Sequence, residues 1–190
     1  MSPAWFKRRE KKDPSSAPPK TPAKGSASDA PVAVTPKGIS VGKLLTEELV
    51  LFLPDVKDKN QAIDKLVAKL CKVRDLGEPA PMLRKVLDRE QGISTTLDTG
   101  LSLPHARVDD VQDIATILGL LPVGIPDPKQ PELTIRAIFL FFSPNRQDAF
   151  TRHLHLLRSV SSLFQPAFID QLLASQTPAK ALEAIRKQEG

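Results

Sequence analysis

The chain has 190 residues, 41% hydrophobic and 26% charged, with a formal net charge of +5, three histidines and one cysteine. That length and balance fit one soluble globular domain with a core of its own, and no apolar run approaches the roughly 20 residues of a membrane span. One cysteine excludes an internal disulfide, and the lack of Cys-x-x-Cys and His-Glu-x-x-His spacings removes the familiar zinc signatures.

The charge is unevenly placed. Residues 1–38 hold eight Lys and Arg against three acidic residues and so carry the whole excess, leaving residues 39–190 balanced. A balanced body lacks the electrostatic footprint of a duplex binder and has no clustered aromatics for single strands, which argues against nucleic acid as a partner. The first 38 residues also carry seven prolines among Ser, Ala and Lys. Such a composition buries too little apolar surface to offset its ordering entropy, so a disordered basic tail is expected over 1–38 and a folded domain over 39–190. The basic run Lys7–Lys12 leads into prolines rather than a signal-peptide core, which predicts a cytoplasmic protein. Trp5 and Phe6 beside Lys7, Arg8 and Arg9 leave a membrane surface or an acidic partner open as alternatives to a plain linker.

Past the tail, Ile63, Leu66, Val67 and Leu70 fall at helical spacing and predict a surface helix over 60–73, with Lys59, Asp64, Lys65 and Lys69 on its polar side and Cys71 in the core. Met82, Leu83, Val86 and Leu87 define a second helix, with Arg89 in its last turn and a left-handed stop at Gly92. Leu101 and Leu103 then alternate with Gly100 and Ser102 as a brief buried strand. Pro104 removes a donor, so the ladder is expected to stop there and present His105 at a strand end. Spacing alone leaves open a half-buried turn histidine.

The runs 113–121 and 133–142 are apolar and of strand length, separated by Pro122, Gly124, Pro126 and Pro128, and read as central strands of a covered sheet. Helices follow over 150–164, over 167–175, and after Thr177 as N-cap with Pro178 in the first helical position. The order predicts an α/β fold, a three-layer α/β/α sandwich.

Arg89-Glu90, Gly92-x-Ser94-Thr95, and Gly100 followed by Pro104-His105 together resemble the active-site stretch of phosphotransferase system enzyme IIA domains of the fructose, mannitol and nitrogen-regulatory class. His153-Leu154-His155-Leu156-Leu157 is similar to the helix that carries that family's second histidine, which assigns it to His153. The resemblance spans roughly residues 39–188, with Thr96 and Ser102 standing where alanine is usual. It implies a mixed sheet of about five strands, a phosphohistidine intermediate and no cofactor. It also implies a phosphocarrier such as HPr, or its nitrogen-branch counterpart, as donor.

Phosphoryl chemistry makes definite demands on these residues. A neutral imidazole is nucleophilic near pH 7, provided its other nitrogen is held by an acceptor such as a backbone carbonyl. His105 is the expected nucleophile. Donors must then meet the phosphoryl oxygens in a largely dissociative transition state, where positioning and charge dominate. His153 is the expected charge stabiliser, with Arg89, Ser94, Thr95 and Arg107 as phosphoryl-binding residues.

Arg89 also reads as a helix C-terminal cation, worth about 0.3–1 kcal/mol. His155 is two positions from His153 and faces another way, which also weakens any metal site. A Ser-His hydrolase lacks its Gly-x-Ser-x-Gly elbow. The competing reading is a regulatory binding module, in which phosphorylation of His105 adds about −1.5 to −2 charge and switches contact with a target protein. The chain leaves no room for a IIB domain or permease, so the acceptor is expected to be a separate IIB subunit or a regulated target.

Overall fold

A computed structural model of the chain describes residues 38–190; the expected tail, apart from Gly38, lies outside the described residues. The fold is α/β, built on a mixed five-stranded sheet with six helices among the described residues. Its centre is an antiparallel pair, β4 (Ala115–Pro126) and β5 (Thr134–Pro144). The short β1 (Val50–Phe52) runs parallel to β4 on one side. On the other side β2 (Leu101–Ser102) and β3 (His105–Val108) both pair in parallel with β5, one after the other along its edge.

Alternation along β5 sorts the helices onto two faces. Phe139 and Phe141 face α4 (Phe150–Leu163), with the Phe139 ring 5.8 Å from that of Phe164 at the helix end. Ile138 pairs with Gly119 on the opposite face, where the missing side chain of Gly119 admits α2 (Lys59–Arg74). A methyl built on Gly119 would come within 3.1 Å of Leu53 and of Leu66. α3 (Pro79–Glu90) packs beside α2, and α5 (Pro166–Ala174) and α6 (Pro178–Glu189) complete the set. The four-residue α1 (Val41–Leu44) lies against α6. Phe139, Phe141, Phe142 and Phe164 are fully buried between the layers.

The helix ends follow local chemistry. Asp58 caps α2 by accepting from Gln61 N–H at 2.8 Å, and Thr177 caps α6 ahead of Pro178. Cys71 is a free, buried thiol in α2, as its place in the pattern predicts.

Three local expectations change. Gly92 does not adopt a left-handed conformation: α3 ends in a tight turn, with Gly92 N–H donating to Arg89 O at 3.3 Å. The Lys129 ammonium donates to the carbonyls of Glu90 and Gly92, so a cation caps the helix in place of a glycine. Strand β4 continues through Pro122 to Pro126, because an irregularity between Leu120 and Ile125 absorbs the residues that lack a ladder N–H, with Gly124 at φ 73°. Pro104 interrupts the edge strand without ending it, for its carbonyl still accepts from Phe141 N–H at 3.2 Å and β3 resumes at His105.

Candidate functional site

Leu103 lies in the break between β2 and β3, so its carbonyl is outside both strands. It sits 2.7 Å from Nδ1 of His105. A carbonyl can only accept, which means Nδ1 carries the proton and the lone pair of the neutral ring lies on Nε2. The Phe141 ring stacks on His105 at 5.1 Å and 11°, fixing the plane of the imidazole. Burial lowers the pKa of His105; the Leu103 bond opposes that, Arg89 adds to the lowering, and Glu90 counters it. The net shift is downward, so the ring is neutral near pH 7.

His153 approaches His105 edge-on, with ring centroids 5.3 Å apart. It sits in the first turn of α4, on the same stripe as the buried Leu156 and Val160, which is why it points inward. Its Nδ1 lies 2.7 Å from the Ser143 hydroxyl of β5, and Phe150 stacks on its outer side at 6.3 Å. Burial, followed by the neighbouring His105 and Arg107, pushes its pKa down to about 4. Two neutral histidines therefore meet at the sheet edge.

Both histidines line an open cleft of about 500 Å³. Arg89 and Lys85 enter it from α3 and Arg107 from β3, set against Asp88 and Asp109, which leaves the lining net positive. Arg107 lies 5.3 Å over the Phe150 ring and donates from Nη2 to the Arg146 carbonyl at 2.9 Å. Its buried Nε–H has no partner among the described residues. Arg89 reaches Ile93 O at 3.3 Å. The chemistry these groups support is attack by a neutral nitrogen on an electrophile carrying negative charge.

The hydroxyls of Ser94 and Thr95 are used elsewhere. Ser94 donates to Asp127 Oδ2 at 3.0 Å and Thr95 to Glu90 Oε1 at 2.6 Å, and neither residue lines the cleft. His155 is also outside the cleft. Among the described residues no group of three or more His, Cys, Asp or Glu side chains is placed to hold a metal ion. No described helix is long and apolar enough to cross a membrane.

Sequence reasoning missed the buried charges behind the loop. Lys59, expected on the polar face of its helix, is only 4% exposed and lies 2.6 Å from Glu90 and 3.1 Å from Asp127. The signal was present: Lys59 precedes Ile63, Leu66 and Leu70 by four, seven and eleven residues and so shares their stripe. Burial pushes the Asp127 carboxyl up, but hydrogen bonds from Thr96, Lys129 N–H and Lys59, with the charge of Lys59, hold it well below the usual carboxylate range.

Among known proteins, the family model described as "Phosphoenolpyruvate-dependent sugar phosphotransferase system, EIIA 2" matches residues 43–188. The chain is 24% identical over 152 residues to the PTS system fructose-specific EIIABC component of Bacillus subtilis (strain 168), a match covering 80% of this chain and 24% of that protein. It thus spans about a quarter of that relative's length. It is also 24% identical over 142 residues to a nitrogen regulatory protein of Bradyrhizobium diazoefficiens, covering 75% of this chain and 91% of the relative. The solved structure of nitrogen regulatory protein IIA-Ntr from Neisseria meningitidis has the same fold, with a TM-score of 0.66 at 20% identity over 76% of this chain and 98% of that one. So does the Escherichia coli complex of enzyme IIAMTL and phosphorylated enzyme IIBMTL, with a TM-score of 0.63 at 21% identity over 75% and 97%.

Proposed function

The chain belongs to the phosphoenolpyruvate-dependent sugar phosphotransferase system EIIA 2 family, and from that premise we propose that it carries a phosphoryl group on Nε2 of His105. The observation that carries the reading is the 2.7 Å bond from His105 Nδ1 to Leu103 O, which leaves Nε2 unprotonated in a cleft of net positive lining. The donor is a phosphohistidine carrier protein of the HPr type.

In the transfer, the Nε2 lone pair forms a bond to phosphorus as the P–N bond of the donor breaks, and the donor imidazole leaves with that electron pair. The Leu103 carbonyl stabilises the positive charge that develops on the His105 ring while Nδ1 keeps its proton. His153, with Ser143 donating to its Nδ1, offers Nε2–H to the phosphoryl oxygens. Arg89 and Arg107, which both line the cleft, supply charge. Ser94 and Thr95 shape the loop beside the group, since their hydroxyls are committed to Asp127 and Glu90.

The acceptor in turn is a IIB-type subunit or a regulated target protein. The similarity to an Escherichia coli IIA protein solved with phosphorylated IIB supports the first, and the similarity to a nitrogen regulatory protein along 91% of its length supports the second. The test is direct. With phosphoenolpyruvate, enzyme I and HPr, the chain is expected to gain one acid-labile, base-stable phosphoryl group that His105→Ala cannot accept. Full labelling of His105→Ala in the mass spectrum would contradict the assignment.

A further inference from the structure

Behind the cleft lies a buried cluster with no part in the proposed transfer. The Lys59 Nζ sits 2.6 Å from Glu90 Oε2, 3.1 Å from Asp127 Oδ2 and 3.2 Å from Thr96 Oγ1. Exposures are 4% for Lys59, 8% for Glu90 and 0% for Asp127. Buried ion pairs are costly to desolvate, and well-packed apolar residues in their place often leave a protein as stable or more so. Stability is therefore a weak account of this cluster, and what it holds is more informative.

It holds three consecutive hydroxyls of one loop. Ser94 Oγ donates to Asp127 Oδ2 at 3.0 Å, Thr95 Oγ1 to Glu90 Oε1 at 2.6 Å, and Thr96 Oγ1 to Asp127 Oδ2 at 2.5 Å. The far side of the loop is tied in by Ser102 Oγ, 3.1 Å from Thr96 Oγ1, and by Leu103 N–H, which donates to Thr95 O at 3.1 Å. Leu103 O is the acceptor that fixes Nδ1 of His105. The path from Lys59 to the histidine is thus continuous: Lys59 to Glu90 and Asp127, these to the hydroxyls, the loop to Leu103, and Leu103 to the ring.

We infer that Lys59 is a positioning residue for His105: it holds two carboxylates together so that the 94–96 loop sets the Leu103 carbonyl against the imidazole. The inference rests on His105 being the phosphoryl acceptor. Without the ammonium, Glu90 and Asp127 are left as like charges sharing a dry site, and the loop they anchor loses its fixed geometry. The acceptor at Leu103 then loosens, the ring exchanges between its two neutral tautomers, and the nucleophilic nitrogen is presented only part of the time.

The experiment uses the full chain with 15N-labelled histidine. Ring-nitrogen NMR at pH 7.5 reads the His105 tautomer, and single-turnover phosphorylation by a phosphorylated HPr-type donor reads the maximal rate and the half-saturating donor concentration. Lys59→Met is expected to convert His105 from the single Nδ1–H form to a mixture and to lower the maximal rate tenfold or more, with half-saturation within about twofold of the parent. Thr96→Val keeps all three charges and is expected to move both readouts the same way by less. A folded Lys59→Met with the parent tautomer and rate overturns the inference. If Lys59→Met does not fold, Thr96→Val decides, and an unchanged tautomer there overturns it. A parent chain that takes no phosphoryl group sinks the proposed function instead, while the tautomer readout still decides the role of Lys59.

Discussion

The Ser143 hydroxyl lies 2.7 Å from Nδ1 of His153, whose ring centroid is 5.3 Å from that of His105. Because His153 is neutral with its pKa pushed down to about 4 by burial, His105 and Arg107, it has one ring proton to offer, and the Ser143 hydroxyl can either donate to Nδ1 or accept from it. When the hydroxyl donates to Nδ1, the proton is on Nε2 and available to a phosphoryl group.

His153→Ala is accordingly expected to remain phosphorylatable but to transfer more slowly. Losing one preorganised donor costs about 10²–10³ in rate. Ser143→Ala, which keeps the imidazole but frees its tautomer, is expected to show a smaller loss in the same direction. Stopped-flow transfer from phosphorylated donor checks both. Parent-like rates in His153→Ala would remove it from the site, and an equal loss in His155→Ala would point to the wrong member of the pair.

The lowered pKa of His153 also ties stability to pH. The unfolded ring titrates near 6.5 and the folded one near 4, so between those values the unfolded chain binds more protons and acidification favours unfolding. Stability from this group is full above about pH 6.5 and declines as pH falls toward 4, by about 3 kcal/mol at most. Urea unfolding at pH 7.5, 5.5 and 4.5 is expected to give a shallower decline in His153→Gln than in the parent. Identical pH slopes in the two proteins would show that His153 is not held neutral by its surroundings.

Outside the cleft, Glu189 in the last turn of α6 accepts from Ser40 Oγ at 2.8 Å, Val41 N–H at 2.5 Å and Gly42 N–H at 2.9 Å. These bonds join the first described residues to the last helix, and bonds to a charged group contribute about 1.5–3 kcal/mol. Glu189→Ala is expected to lower stability by about 1–3 kcal/mol while leaving His105 labelling unchanged. A melting temperature equal to the parent's would mean the latch adds nothing.

Much of this fold is written in periodicity. The stripes of α2 and α3, the apolar runs of β4 and β5 and the Thr177-Pro178 start of α6 all appear where spacing predicts them. What spacing could not supply was long-range pairing. Pro122 reads locally as a breaker, and only the irregularity against β5 shows how the strand absorbs it. Gly92 reads as a helix stop, whereas the stop is made by Lys129, far along the chain. His105 stands out in the sequence because Pro104 and the resemblance converge on it. The burial of Lys59 shows only in its place on the apolar stripe of α2, against its residue type, and nothing local to Asp127 marks it as buried.

The cleft residues fall between Lys85 and His153, far along the chain from the expected tail. Protein beginning at Gly38 is therefore expected to accept phosphate from HPr at a rate close to that of the full chain. Loss of labelling on truncation would place part of residues 1–37 in the working domain.

The central claim is that Nε2 of His105 accepts the phosphoryl group while Nδ1 stays protonated against Leu103. Heteronuclear NMR of 15N-histidine protein, phosphorylated through enzyme I and HPr and kept at alkaline pH, reads which ring nitrogen couples to phosphorus. The account predicts a single phosphohistidine, at His105, with phosphorus coupled to Nε2 and a protonated Nδ1. Coupling to Nδ1, or a phosphoryl group on His153, would contradict it.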